Sequence, residues 1–331
     1  MDKHLGKISP ATLQKIVLPY SGKARQEVVS GASVGRDCGI IHLFGGLISL
    51  TSDPITGVSS DLGFFAPQVV ANDLICSGAD PLGILVSLIL PPHTKEGEIE
   101  KIMQDINRTC LALNLSVIGG HTEISDAVNR PIVHCTGLGK IEGEFFPDPQ
   151  RVEAGDVIIM TKGAGIEGTA ILAREKEVEL RPALGEQLLV QAQNFVNLLS
   201  VVPEGKIALR FNPHCLHDAT EGGVLGAVWE VCEVNHLGFT LEESRIKVYS
   251  PTKQIARFFG LDPLRLISSG TLLIFSPDAQ PIIQSLEETG IPAYLIGRVR
   301  KEKTREVIRL GGEIQEITEC PPDELWRVMG D

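Results

Sequence analysis

The sequence has no run of eighteen apolar residues, and its first residues, Met1 to Lys7, include no apolar stretch of the kind found in secretory signals. We therefore expect a cytoplasmic protein with no membrane partner. Basic residues are few as well, since 30 Lys and Arg stand against 42 Asp and Glu and the formal net charge is −12. Nucleic acids are bound through clustered Lys and Arg, so this composition argues against a nucleic-acid partner.

Paired cysteines are also absent. The seven cysteines are scattered without a C-x-x-C pair, which predicts reduced, mostly buried thiols and neither a disulfide framework nor a zinc knuckle.

A Walker loop is lacking too, because the glycine-rich stretch 162–170 is not followed by Gly-Lys-Ser/Thr. That stretch opens a predicted helix, and it is equally consistent with an anion site at the helix N-terminus and with a tight turn.

Chemistry is most strongly indicated by the pair Asn72-Asp73, which lies inside an otherwise apolar segment. Apolar residues at near-helical spacing predict a helix over 64–77, with Asp73 on the side that faces the interior. A buried carboxylate without a partner is costly, so we expect a cation or several hydrogen-bond donors beside Asp73.

Three more acids, Asp37, Asp53 and Glu123, stand where short apolar runs give way to predicted turns marked by glycine or proline. Any one of them alone is an ordinary turn or cap residue. Together with Asp73 they make four acids in one half of the chain, each near the end of an element. This pattern predicts a Mg²⁺ site with these four acids as metal ligands, because Mg²⁺ prefers hard oxygen ligands.

A similar strand, acid, glycine turn and helix recur in the second half around Asp218. Two nearby histidines, His214 and His217, raise the alternative of a metal site. They are three residues apart on a predicted strand and would face opposite sides, so we do not predict a metal there.

Hydrophobic periodicity predicts an α+β protein of two domains. The first half contains predicted strands at 47–51, 82–90, 115–119 and 132–141 and helices at 64–77 and 96–113, in the order β-α-β-α-β-β. The second half contains predicted strands at 157–160, 271–276, 293–299 and 305–310 and helices at 185–199, 250–258 and 278–289. The proline-rich stretch 142–155 breaks the periodicity, so we place the domains at 1–147 and 148–331.

The motifs occur in the order G-x-D-x-G, S/T-D, A-N-D-L-x-x-x-G-A-x-P and G-G-x-T. This order resembles the aminoimidazole ribonucleotide (AIR) synthetase superfamily from about Gly22 to near Arg300. The superfamily also holds thiamine-monophosphate kinase, selenophosphate synthetase, formylglycinamidine synthetase and the hydrogenase-maturation carbamoyl dehydratase. The resemblance implies a two-domain AIR-synthetase-like fold, ATP and Mg²⁺ as cofactors, and a homodimer formed by the N-terminal sheet domain. The stretch 83–90 is apolar on both faces, which fits a dimer or a strand buried within one chain.

The resemblance also implies roles for individual residues. It implies catalytic roles for Asp73, His121 and Asp218. It implies nucleotide contacts from a larger set: Lys23, Gly35, Arg36, Asp37, Asn72, Gly119, Gly120 and Thr122. For Lys23 and Arg36, a solvated loop is an equally good interpretation.

The motif wording is most similar to the hydrogenase-maturation branch, whose carbamoyl dehydratase modifies its own C-terminal cysteine. Here Cys320 is followed by residues that can form a helix, so we expect kinship without that activity. His121 stands where thiamine-monophosphate kinase and AIR synthetase have a carboxylate. Because neutral imidazole is a poor Mg²⁺ ligand, we expect Glu123 to supply the oxygen.

These observations predict an ATP- and Mg²⁺-dependent enzyme that activates an oxygen of a small-molecule or protein-tail acceptor by phosphoryl transfer. The absence of an obvious Ser-His-Asp or Cys-His pair is consistent with catalysis by metal ions and positioning. Two alternatives are a non-catalytic nucleotide-binding maturation or interaction protein and a kinase similar to thiamine-monophosphate kinase.

Overall fold

The computed structural model describes residues 7–56 and 61–329, and the chain forms two compact units. The N-terminal unit consists of Lys23–Ala32 and Asp37–Phe146, and the C-terminal unit consists of Met1–Gly22, Ser33–Arg36 and Pro147–Asp331. The predicted division at 147/148 treats the chain as two continuous halves, whereas the C-terminal unit also includes the segments Met1–Gly22 and Ser33–Arg36. Within the described residues, no helix is long and apolar enough to cross a membrane.

The N-terminal unit is a mixed sheet with two helices. Its described strands lie in the order β1-β2-β3-β6-β4-β5, and β4 and β5 are parallel while the other neighbours are antiparallel. Its elements are β1 (Val28–Ser30), β2 (Gly39–Leu43), β3 (Gly46–Ile55), α2 (Leu62–Cys76), β4 (Ala79–Leu90), α3 (Glu96–Leu113), β5 (Ser116–Ile124) and β6 (Ile132–Ile141). The predicted order lacked β1 and β2, which lie in and just after a glycine-punctuated stretch without a clear strand period.

Helix α2 is the central element of this unit. It packs against β3, β4 and β6 of the sheet and also against α3, so nearly all of its side chains are buried. A helix that is buried all round needs apolar residues all round, as this sequence has. Gly63 permits the approach of α3, because a Cβ atom there would overlap the carbonyl oxygen of Ile102 and lie 3.1 Å from Cβ of Asp105.

Two predicted turns are wrong, since both motifs lie within strands. Asp53 and Pro54 belong to β3, which pairs with β2 only as far as Leu50 and then pairs with β6 alone. Proline is tolerated at Pro54 because that side of β3 has no described strand neighbour there. Gly120 lies within β5, where a Cβ atom would overlap the backbone of Val86 on β4. Glycine therefore allows close strand approach at this point and does not make a turn.

The C-terminal unit is built on a second sheet. Its described strands lie in the order β13-β12-β9-β11-β7-β10-β8. The strands are β7 (Val157–Thr161), β8 (Cys215–Asp218), β9 (Gly238–Glu242), β10 (Leu272–Ser276), β11 (Ala293–Arg300), β12 (Arg305–Ile308) and β13 (Ile314–Glu316). The strands β7 and β10 are buried along their whole length, which explains their largely apolar sequences, and the edge strand β8 is buried as well.

Helices flank this second sheet. They are α1 (Pro10–Ile16), α4 (Ile166–Glu175), α5 (Glu177–Leu184), α6 (Glu186–Gln193), α7 (Val202–Ala208), α8 (Gly223–Val234), α9 (Ser250–Phe259), α10 (Gln280–Glu288) and α11 (Trp326–Met329). The helix predicted over 185–199 is wrong in its second half, since α6 ends at Gln193 and a 3₁₀ turn follows over Asn194–Leu198. The carbonyl groups of Leu198 and Ser200 instead accept hydrogen bonds from the Lys162 ammonium at 2.8 and 2.7 Å.

We predict that Gly63→Ala destabilises the N-terminal unit by about 2–3 kcal/mol, because the added methyl group must push α2 away from α3. The matched control is Gly97→Ala in the first turn of α3, where a Cβ atom meets nothing within 4 Å. Alanine is the better helix former, so the control should be neutral or stabilising by up to about 1 kcal/mol. Denaturant titration followed by circular dichroism measures both variants. Equal stability of the two would contradict the close packing of α2 on α3.

Candidate active site of the N-terminal unit

The carboxylate of Asp73 lies in the interior of the N-terminal unit, on the buried helix α2, and only 4% of this residue is exposed. The hydroxyl group of Thr51, on β3, donates a hydrogen bond of 2.7 Å to Asp73 Oδ2. The expected hydrogen-bond donor is therefore present. Thr51 was not among the predicted site residues, although it immediately precedes the predicted S/T-D motif.

Thr51 lies at the centre of a group of acids. Its Oγ1 atom is 3.2 Å from Asp53 Oδ2 and 3.0 Å from the backbone oxygen of Asp37. A hydroxyl group has one proton, so it can donate fully to only one of these oxygens at a time. One carboxylate oxygen of Asp37 also lies within 4.8 Å of one of Asp73. The structure thus brings together three of the four predicted metal ligands, Asp37, Asp53 and Asp73.

The thiol of Cys38 is next to this group. Desolvation raises the pKa of Cys38 well above its usual value, and the negative charge of Asp73 raises it further. A thiol held neutral in this way is a poor nucleophile. Cys38 therefore contributes packing to the site and no thiolate.

The structure does not place the predicted site residues of β5 next to the acids on β3 and α2. Asp53, Cys135, Val86 and Gly120 lie in one row across β3, β6, β4 and β5, so Gly120 is three strand spacings from Asp53. This separation is about 14 Å. Glu123, three residues further along β5, is therefore not placed to share a metal ion with Asp53 in the same chain, and the prediction of one four-acid site needs this correction.

His121 and its neighbours lie on the exposed edge strand. The side chain of His121 is 67% exposed, and its Nε2 atom is 3.2 Å from Glu123 Oε2. Gly119 and Thr122 are exposed on the same strand. Their predicted nucleotide contacts and the predicted catalytic role of His121 stay predictions.

The other predicted nucleotide contacts have different surroundings. Asn72 is fully buried beside Asp73 on α2, and Lys23 is exposed. Gly35 has a φ of 74°, and a Cβ atom there would lie 3.0 Å from Cγ2 of Val234. Its backbone conformation and its packing therefore both favour glycine at this position.

Arg36 is already paired. Its guanidinium group donates to both carboxylate oxygens of Asp148, at 2.8 and 2.7 Å, and both side chains are largely buried. Both bonds come from one nitrogen, Nη2, and these charge-assisted hydrogen bonds hold the guanidinium group against Asp148. A phosphate contact by Arg36 would have to compete with Asp148.

Asp218 ends β8 in the C-terminal unit and is fully buried. The two nearby histidines contact different acids: His214 Nδ1 is 2.8 Å from Asp156 Oδ2, and His217 Nε2 is 3.5 Å from Glu230 Oε2. Their separate partners agree with the prediction that they do not form a joint metal site.

The glycine-rich stretch 162–170 is a tight turn bonded within its own unit. The backbone N–H of Gly165 donates to Ser268 Oγ at 2.8 Å, and the N–H of Gly168 donates to the Ile267 carbonyl at 2.9 Å. Lys162 is buried, with its ammonium 2.6 Å from Glu204 Oε1. Desolvation lowers the pKa of Lys162, while Glu204 acts in the opposite direction. Because these donors are engaged, the tight-turn interpretation is favoured over an anion site.

Two stretches of the chain match the two domains of one protein family. Residues 35–141 match the AIR synthase related protein, N-terminal domain, and residues 153–309 match its C-terminal domain. A Methanocaldococcus jannaschii protein named for hydrogenase expression/formation is 30% identical over 265 residues, which cover 78% of this chain and 76% of the relative. The chain belongs to the AIR synthase related family. The predicted family and the two-domain α+β fold are confirmed.

The relatives of this chain include named enzymes. Carbamoyl dehydratase HypE of Escherichia coli is 26% identical over 270 residues, covering 80% of this chain and 77% of the enzyme. Two solved structures share the fold. A HypE–HypF complex has a TM-score of 0.77, with 18% identity and coverage of 93% of this chain and 99% of that chain. HypE in complex with ATP has a TM-score of 0.72, with 19% identity and coverage of 97% of both chains.

We predict that Thr51→Val destabilises the N-terminal unit by about 1–3 kcal/mol in metal-free buffer, because the buried Asp73 loses a hydrogen-bond donor. Thr136→Val is the matched control, since Thr136 Oγ1 bonds Ser52 Oγ at 2.8 Å on an exposed part of the same sheet. Thermal melts in the presence of a chelator compare the two. An equal effect of both substitutions would contradict a special role of Thr51 in holding Asp73.

Proposed function

We propose that this protein is an ATP- and Mg²⁺-dependent enzyme of the hydrogenase-maturation branch, which activates an oxygen of its acceptor by phosphoryl transfer. The observation that supports this most strongly is the approach of Asp37 to Asp73 within 4.8 Å beside Thr51 and Asp53. The ATP complex of the structurally similar HypE supports the choice of nucleotide.

The residues present fit a divalent cation. Asp37 and Asp73 offer hard oxygen ligands, and two carboxylates this close repel each other unless a proton or a cation lies between them. Asp37 is exposed while Asp73 is buried, so the pair has one side open to a ligand and one side held by the fold. When bound, Mg²⁺ neutralises charge on the phosphoryl oxygens. The contribution of the protein is to hold Asp37, Asp53 and Asp73 in fixed positions.

The acceptor is a small molecule or a protein tail. The relatives named carbamoyl dehydratase raise the question of whether Cys320 takes a carbamoyl group. Desolvation raises the pKa of Cys320 to about 12, and the side chain packs against the core of the C-terminal unit. A thiol that is neutral and partly buried is a poor acceptor, so we infer that Cys320 does not carry the acceptor group.

The competing function is a nucleotide-responsive interaction protein without turnover. The position of His121 on an exposed strand, about three strand spacings from Asp53 on β3, favours it. Release of ADP or phosphate from ATP in the presence of pooled metabolites or partner protein separates the two functions, since the non-catalytic protein would bind ATP without releasing either product.

A second copy of the chain is the proposed partner at β5. Every residue of this edge strand is exposed, and Ile118 and Ile124 are each 55% exposed. On the adjacent β4, Leu82 and Leu85 are also exposed, so the apolar surface is not buried within one chain. An edge strand with apolar side chains pairs readily with another chain. This surface supports the homodimer implied by the family.

We predict that Asp53→Asn and Asp73→Asn each weaken binding of a Mg²⁺-bound, non-hydrolysable ATP analogue by more than about tenfold, or about 1.4 kcal/mol, because a charged ligand is lost. Stability without metal should change little, since neutralising one acid relieves repulsion. Calorimetric titration and thermal melts measure the two effects. Asp126→Asn, at an exposed acid of the same unit, is the control and should bind normally. Unchanged affinity in both site variants would rule out the metal site.

We predict a dimer by light scattering at micromolar concentration, and we expect Ile118→Asp to weaken it by about a hundredfold or more, because the charge enters an apolar interface twice. Leu111→Asp is the control, since Leu111 is 73% exposed on α3 and is not part of β5. A monomeric wild type, or equal dissociation of both variants, would reject the interface at β5.

A further inference from the structure

The last turn of helix α2, which carries Asp73, is joined to strand β3 by a chain of hydroxyl groups. Ser77 caps the C-terminal end of α2, and its hydroxyl group donates to the Leu74 carbonyl at 2.7 Å. The hydroxyl group of Ser49, on β3, lies 2.7 Å from that of Ser77. Because Ser77 gives its one proton to Leu74, Ser49 is the donor to Ser77. We call this chain from Ser49 through Ser77 to Leu74 the hydroxyl clamp.

The hydroxyl clamp acts on the main chain at Asp73. The backbone N–H of Ser77 donates to the Asp73 carbonyl at 3.0 Å, so the residue that Ser49 holds is bonded directly to Asp73. The carbonyl groups of a last helical turn lack partners within the helix, and the Ser77 hydroxyl supplies a donor to one of them. The clamp therefore opposes fraying of the turn that carries this carboxylate.

Strand β3 thus holds the turn at two points. Ser49 and Thr51 are alternate residues of β3, and both are buried against α2. Thr51 donates to the Asp73 carboxylate, while Ser49 holds the main chain through Ser77. Asp53 is the next alternate residue of the same strand. The two contacts therefore fix the acid of α2 relative to the acid of β3.

Net stability alone is a weak reason for such a pair of hydroxyl groups. An apolar pair of the same shape can be equally stable, because a buried hydrogen bond adds little beyond what water would give its two partners. A hydrogen bond does add direction, since it is strong only over a narrow range of distance and angle. Exact position is the property that a site with strict ligand distances requires.

We propose that Ser49 and Ser77 are positioning residues that give the site of Asp37, Asp53 and Asp73 a preference for Mg²⁺ over Ca²⁺. This inference rests on the proposed function, because it assumes that these acids bind a divalent cation. Mg²⁺ requires near-octahedral oxygen ligands at about 2.1 Å, whereas Ca²⁺ accepts a flexible arrangement at about 2.4 Å. A turn that can shift its carboxylate therefore weakens the binding of Mg²⁺ more than that of Ca²⁺.

The test is the ratio of the dissociation constants of Ca²⁺ and Mg²⁺, measured by calorimetric titration of the full chain in the presence of a non-hydrolysable ATP analogue. Ser49→Ala and Ser77→Ala should each lower this ratio by at least about fivefold, mainly through weaker Mg²⁺ binding. The double variant should be no worse than the single variants, since each breaks the same hydrogen bond. Ser77→Thr keeps the hydroxyl group and should keep the wild-type ratio.

Ser52→Ala is the matched control. Ser52 lies on the same strand, but its hydroxyl group bonds Thr136 Oγ1 at 2.8 Å and His134 Nε2 at 3.0 Å in an exposed position. Its loss should leave the ratio unchanged. Because the ratio compares two metals on one variant, a general loss of stability lowers both affinities without changing it.

An unchanged ratio in Ser49→Ala, or an equal loss of affinity for both metals, would overturn the role of the hydroxyl clamp in selectivity. Asp73→Asn in the same titration separates this failure from failure of the metal site. If Asp73→Asn abolishes metal binding while Ser49→Ala keeps the wild-type ratio, the metal site stands and the clamp alone is wrong. If Asp73→Asn binds both metals as the wild type does, the proposed function is wrong and the clamp with it.

Discussion

The N-terminal unit depends on keeping one carboxylate, that of Asp73, out of water. Helix α2 is enclosed by the sheet on one side and by α3 on the other, so Asp73 cannot turn towards solvent without moving the helix. The hydroxyl group of Thr51 satisfies part of its hydrogen-bonding need. Burial of this carboxylate costs desolvation free energy, but the same packing holds it at a fixed distance from Asp37 and Asp53.

Like charges are gathered in both units, but with different compensation. In the N-terminal unit, Asp37 is exposed beside the buried Asp73, and the compensation that we propose for this pair is a cation from solution. In the C-terminal unit, Glu167 and Asp323 are both buried, and hydrogen bonds compensate them: Ser269 donates to Glu167, and the backbone N–H groups of Gly222 and Leu325 donate to Asp323. The pair of Lys162 and Glu204 shows the third solution, in which a buried cation and anion satisfy each other and anchor a 3₁₀ turn. Burial alone therefore does not identify a catalytic acid in this protein.

The exposed strand β5 shows that two of the predicted sequence motifs lie in different parts of the N-terminal unit. Helix α2 packs against β3, β4 and β6, whereas every residue of the edge strand β5 is exposed. Its apolar residues are exposed, which supports the proposed interface with a second copy, while His121 and Glu123 contact each other at its surface. The acids on β3 and α2 remain within the helix-covered part. The motif G-G-x-T thus belongs to a surface, and the motif A-N-D-L belongs to the interior.

The sequence by itself determined the elements with a clear period: α3 begins and ends at the predicted residues, β6 does as well, and α2 differs by two residues at its start and by one at its end. It also determined that Asp73 faces the interior, because helical spacing is a local property. Only the tertiary structure decided that Thr51 contacts Asp73 across 22 residues and that Arg36 pairs with Asp148 across 112. Only the structure placed Pro54 and Gly120 inside strands, since proline and glycine mark turns locally and are accepted in strands where a neighbour is missing or very close. These outcomes depend on which distant segments pair, and residue spacing along the chain carries no record of that pairing.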